Sequence, residues 1–100
     1  MIELEKIKAM KDSKIIKLPL SFKDFIALDK AIREKWSSVK VIETKEELER
    51  IKLPLSLKDY LTLDKTFFYG PIKPEYWPMK LHLALDEIAD AYALMKWGES

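Results

Sequence analysis

Asp29 and Asp64 are the residues of this chain best placed to do chemistry. Each sits in an LDK triplet, four residues after an apolar stripe position, Phe25 and Tyr60 respectively. That spacing puts each carboxylate at the edge of a buried helix face, where it must be paired or hydrogen-bonded. Two acids facing each other across a pseudo-twofold axis could divide acid and base duties. Nothing near either one in the sequence supplies a second catalytic group, so the reading is structural: each aspartate ties its helix to a neighbouring turn or lysine. His82, Asp86 and Asp90 recur at spacings of four and could in principle hold a divalent ion. The chain has one histidine and no HExxH motif, so the expectation is a surface charge interaction and no metal site. Nucleophile, phosphate-loop and dinucleotide motifs are missing, which predicts no catalytic residues, no cofactor and no enzyme.

Recognition chemistry is better represented. The segment Phe67 to Pro78 (FFYGPIKPEYWP) holds five aromatics and three prolines, and Tyr76 and Trp77 are its expected exposed anchors, since Tyr and Trp on a stiff backbone make good hot spots. On the last predicted helix, Leu83, Leu94 and Trp97 point away from the packing seam, on the same side as Asp86, Glu87 and Asp90. A second apolar strip is a partner surface unless another helix or the Tyr69–Pro78 loop covers it. Lys17, Lys23 and Lys30 recur as Lys52, Lys58 and Lys65. They could track a phosphate backbone, although Asp24 and Asp59 share their helices and oppose phosphate. A helix-turn-helix reader over residues 22–36 would present Lys23, Ala27, Lys30 and Glu34, without the Arg, Asn or Gln that read bases.

These residues are positioned by a sequence stated twice. Residues 16–30 (IKLPLSFKDFIALDK) and 51–65 (IKLPLSLKDYLTLDK) differ only at Phe22/Leu57, Phe25/Tyr60, Ile26/Leu61 and Ala27/Thr62. A shorter echo, ELEKIK at 3–8 and ELERIK at 47–52, extends the internal repeat to 3–36 and 47–69. Ser21 with Asp24 and Ser56 with Asp59 form variant capping boxes. Leu20 with Phe25 and Leu55 with Tyr60 form hydrophobic staples. Helices therefore begin near residues 22 and 57. The first runs to about Trp36 on a stripe of Phe22, Phe25, Leu28, Ile32 and Trp36. The second runs to about Tyr69, burying Leu57, Tyr60, Leu61, Phe67 and Phe68, with Gly70 in a left-handed cap position before Pro71. Thr44 with Glu47 starts a short helix over 45–52, and the echo predicts another over 2–11. KIIKL (14–18) and SVKVIE (38–43) are the β-branched segments that could pair as a two-stranded ribbon. The last helix spans 78–97, with its seam at Leu81, Leu85, Ile88, Tyr92 and Met95.

Composition bounds the setting. One hundred residues, 48% hydrophobic, suit a single domain over 1–100. There is no cysteine, so disulfide and thiolate-metal frameworks are out. The N-terminus lacks the apolar core of a signal peptide and no apolar run could span a membrane, so the expectation is a cytoplasmic protein. The absence of Asn and Gln with 35% charged residues suggests a thermophilic prokaryote. The net charge of +1 divides unevenly. Residues 1–40 hold ten basic against six acidic residues, and 41–100 hold eight against eleven.

The fold class this predicts is all-α: a duplicated helix–turn–helix unit followed by a long C-terminal helix, with the short ribbon as an option. That helix either covers both units or pairs with its copy in a homodimer. The function expected is a small non-enzymatic protein–protein interaction module or accessory subunit of a larger complex. The alternative is a nucleic-acid-associated protein using the duplicated lysines.

Overall fold

A computed structural model describes residues 14–98. The helices are α1 (Phe22–Lys35), α2 (Lys45–Glu49), α3 (Leu57–Tyr69) and α4 (Met79–Trp97), with short 3-10 turns at Trp36–Ser38 and Pro74–Tyr76. About 67% of the structure is helical, and among the described residues no named strand forms. The all-α expectation is met. The predicted helix over 2–11 lies outside the described residues.

The helix starts follow from their caps. The Ser21 hydroxyl oxygen accepts from the Asp24 N–H at 3.1 Å, and Ser56 accepts from Asp59 N–H at 3.1 Å. Thr44 accepts from Glu47 N–H at 3.2 Å, and Glu47 reaches back to the Thr44 hydroxyl at 3.1 Å. The three backbone bonds satisfy N–H groups that the first helical turn would otherwise leave open, and the Thr44 O–H donating to Glu47 steadies the third cap. The Leu18–Pro19 and Leu53–Pro54 peptide bonds that precede the two serine caps are both cis.

One apolar cluster joins the elements. Leu28 and Ala31 from α1, Leu48 from α2, and Leu57, Tyr60, Leu61 and Leu63 from α3 meet Leu81, Leu85 and Ile88 from α4. Helix α3 lies between α1 and α4 and packs against both. Helix α4 also reaches α1, because Tyr92 and Lys96 both donate to Asp29. The C-terminal helix therefore touches both α1 and α3 within the chain.

Several local expectations are corrected. KIIKL does not pair with SVKVIE. Ile15 instead bridges antiparallel to Ser56, with Ile16 N–H donating to the Leu55 carbonyl at 2.9 Å and Leu57 N–H to the Lys14 carbonyl at 2.8 Å. The 38–43 segment lies along α3, where Ile42 is buried and its N–H donates to Thr66 Oγ1 at 2.9 Å. Phe22 leaves the α1 stripe and is exposed, because the buried side of α1 is set by Leu28 and Ala31. Phe68 is exposed too, and Phe67 partly so; the inward position at the end of α3 belongs to Thr66. Helix α2 stops at Glu49, short of residue 52. Gly70 is extended (φ −76°, ψ 156°), not left-handed, while its N–H still donates to the Thr66 carbonyl at 2.8 Å. Its lack of a side chain matters for another reason: a Cβ there would come within 2.5 Å of Thr66 Cγ2 and 2.6 Å of Thr66 O.

Candidate functional site

Helix α4 has two unlike sides. Its inner side carries Leu81, Leu85 and Ile88, all buried, with Tyr92 half-buried beyond them. A helix advances 100° per residue, so Leu83, Leu94 and Trp97 fall opposite this seam. They are 55%, 70% and 72% exposed, and Met79 joins them at the start of the helix. Among the described residues all three are therefore exposed and none is core. Asp86, Glu87 and Asp90 occupy the middle of the same side and are exposed. The outer face thus reads apolar, acidic, apolar along its length.

At its C-terminal end this face holds a shallow depression of about 500 Å³, lined by Asp90, Ala93, Leu94, Trp97 and Gly98. Its walls are apolar apart from one carboxylate. Trp97 is held edge-on to Tyr92 at 6.3 Å between ring centroids, and Lys96 Nζ lies 5.7 Å from the Trp97 ring.

Tyr76 is exposed as expected, but Trp77 is not. Trp77 is a core residue: its Nε1–H donates to the Ile72 carbonyl at 3.0 Å, and its ring packs edge-on to Phe67 and His82. The Pro-rich turn folds back on itself, and that carbonyl satisfies the indole N–H away from water. The sequence pattern of this segment has no periodicity that would have separated the two neighbours.

The two aspartates are structural ties with separate partners. Asp29 accepts from the Tyr92 hydroxyl and from Lys96 Nζ at 2.9 Å, and pairs with Arg33 at 3.2 Å. The Tyr92 hydrogen bond, followed by that of Lys96, holds its carboxyl below the ordinary value. Asp64 accepts from the Trp36 indole N–H at 2.9 Å, and burial pushes its carboxyl up against the opposing effect of that bond. Neither carboxylate lines the depression at the C-terminal end of α4.

The duplicated lysines divide. Lys17, Lys23, Lys30, Lys52 and Lys58 are exposed. Lys65 is structurally engaged, donating to the Ser37 carbonyl at 2.7 Å and the Val39 carbonyl at 3.0 Å, with Nζ 5.6 Å from the Trp36 ring. Its charge is spent on closing the turn after α1, so the track of paired lysines is broken at that position. His82 Nε2 lies 3.5 Å from Asp86 Oδ2, and among the described residues no group of three potential ligands converges as a metal site. No described helix is long and apolar enough to cross a membrane.

Sequence reasoning missed Thr66, the one fully buried polar side chain among the described residues. Its hydroxyl donates to the Thr62 carbonyl at 2.6 Å and accepts from Ile42 N–H, pinning the 39–43 segment to α3. The available signal was the contrast with Ala31 at the equivalent position of the first copy.

No protein-family model, curated protein or solved structure matches the chain.

Proposed function

We propose that this protein is a small non-enzymatic interaction module, an accessory subunit that docks on a larger protein through the outer face of α4. The observation that carries the reading is the exposure of Leu83, Leu94 and Trp97 on a helix whose opposite side is already buried. Large apolar side chains grouped on one face lose unfavourable hydration when a partner covers them. Tyr76 is exposed on the turn that leads into the same helix and can extend the contact. The repeated cap-and-helix sequence supports an origin by duplication of one helical unit. The composition, without Asn or Gln, supports a thermophilic prokaryotic host.

The test is affinity capture from host lysate with the wild-type chain and with the double variant Leu83→Ser/Leu94→Ser, at low and high salt and with and without nuclease. The expected result is a discrete protein retained by the wild type through both treatments and lost with the variant, while the variant's melting temperature stays close to the parent's. Recovery of nucleic acid that disappears as salt rises would overturn the reading in favour of phosphate contacts through the exposed lysines.

A further inference from the structure

The outer face of α4 carries more information than its exposure. Its groups are arranged almost symmetrically about Ile88: Met79 and Trp97 at the ends, Leu83 and Leu94 inside them, and Asp86, Glu87 and Asp90 in the middle. By shape alone, that order would suit a second copy of the chain lying antiparallel, apolar end on apolar end. Charge decides against it. Such pairing would bring six carboxylates together at the centre of the interface, and like charges juxtaposed across an interface are strongly unfavourable. Lys96 is already committed to Asp29, His82 pairs with Asp86, and the exposed Lys80 lies near the start of the helix, away from the acidic middle. The complement of this face is apolar at two points and positive between them.

The depression at the C-terminal end sharpens the chemistry. Its apolar lining, Ala93, Leu94 and Trp97, can seat an apolar side chain, and Asp90 beside it can meet a neighbouring side chain that is aliphatic along its stem and cationic at its tip. The carbonyl end of α4 adds partial negative charge there. Leu83 and Leu94 are separated by eleven residues, or roughly 16 Å along a helix at about 1.5 Å per residue. A partner helix lying along α4 meets both with apolar residues at the same interval.

We propose that this face receives a basic amphipathic helix of a partner protein, with apolar side chains seated at Leu83 and at Leu94–Trp97 and lysines or arginines over Asp86, Glu87 and Asp90. The inference rests on the docking role proposed above and adds the chemistry of the occupant. The apolar seats hold the complex in salt, and the charges select the partner, so added salt narrows the discrimination more than it weakens the contact.

The test uses the full chain and two labelled synthetic helices of about 18 residues, a length that spans the face. Both carry leucines eleven residues apart. One has lysines between them and the other has glutamates. Fluorescence anisotropy should show the lysine helix binding at least about tenfold more tightly than the glutamate helix, as expected when like charges are opposed. The triple variant Asp86→Lys/Glu87→Lys/Asp90→Lys should reverse the order, and Leu83→Ser/Leu94→Ser should abolish binding of both. Equal binding of the two helices would overturn the basic-helix inference while leaving the docking face standing. Binding of neither would also overturn it, and the lysate capture then decides the docking role separately. Sedimentation and melting complete the test. A dimer that Leu83→Ser/Leu94→Ser dissociates would assign the face to a second copy. A large loss of stability in that variant would assign it to a segment of the same chain. Either result overturns the inference.

Discussion

Phe22 and Leu57 occupy the same position in the two copies, the first residue after the capping serine, yet Phe22 is 70% exposed and Leu57 is 8% exposed. One turn later Ile26 is 48% exposed and its counterpart Leu61 is 2%. Further along, Leu28 and Leu63 are both buried. The copies share caps, prolines and LDK triplets and part company where they meet the rest of the molecule. Helix α3 is flanked by α1 on one side and α4 on the other, so it needs apolar residues on more than one face. Helix α1 sits at the margin and buries one side. The comparison teaches that the cap sequence specifies where a helix starts, while its neighbours determine which residues it hides.

The LDK triplets diverge in the same way. Asp29 and Asp64 are chemically identical and equivalently placed, but the first faces Lys96 and Arg33 near solvent and the second faces the Trp36 indole in a drier site. The lysines after them differ as well, since Lys65 closes the turn after α1 and Lys30 is exposed.

The sharpest way to break the comparison is to truncate the paired positions. Leu61→Ala should cost about 2–5 kcal/mol of unfolding free energy, the range for emptying a buried leucine site, whereas Ile26→Ala should cost less than about 1 kcal/mol, as surface changes do. Urea denaturation of both variants checks this, and equal losses would mean that α1 is as enclosed as α3. Gly70→Ala should come next, at about 1–3 kcal/mol, because the new methyl meets the Thr66 backbone oxygen as well as its methyl group, and a close-packed site yields poorly. A melting curve unchanged from the parent would show that the α3 terminus has room to shift.

The aspartates give the smallest and most discriminating effect. The folded Asp29 carboxyl lies below its ordinary value of 3.8, so its contribution is present above that value and fades as pH falls through the folded one. The folded Asp64 carboxyl lies above 3.8, so its contribution is present below that value and fades as pH rises through the folded one. Asp29→Asn should therefore lower the melting temperature at neutral pH and converge on the parent in acid. Asp64→Asn keeps an oxygen to accept from Trp36 and removes a desolvated charge. It should hold or raise the melting temperature at neutral pH and lose that advantage in acid. Melting scans from about pH 2 to pH 7, which bracket the carboxylate range, check both signs. Parallel profiles for the two variants would erase the distinction between the sites.

Much of the fold was legible because it is written in local chemistry. Ser21, Thr44 and Ser56 predict their helices through side-chain-to-backbone bonds that span three residues, and the Leu81–Leu85–Ile88 seam predicts the buried side of α4 through its period. Burial in the repeats was less legible. Phe22 and Leu57 look alike to any pattern that counts apolar residues at helical spacing, and only what packs over each helix separates them. Trp77 and Tyr76 are adjacent aromatics in a turn, where side-chain direction follows the path of the backbone and no period applies. The outer face of α4 was visible as a geometric fact, since Leu83, Leu94 and Trp97 lie opposite the seam. Its exposure depended on what else in the chain could reach it.

The Ile15–Ser56 bridge has a mechanical consequence. Its two backbone bonds fasten the chain just before the first copy to the cap of the second, so the segment between them is a loop closed at its base. Tension applied between Lys14 and Trp97 passes through the backbone of the bridge into α3 and on to α4, while α1 is loaded only through side-chain ties, Lys14 to Asp24 and Asp29 to Lys96. When the bridge gives way, the roughly 40 residues between its arms can lengthen the chain by on the order of 140 Å at roughly 3.5 Å per extended residue, but only as α1 and α2 leave the core they share with α3 and α4. The first copy thereby takes the smaller share of a pull that the second bears through its backbone.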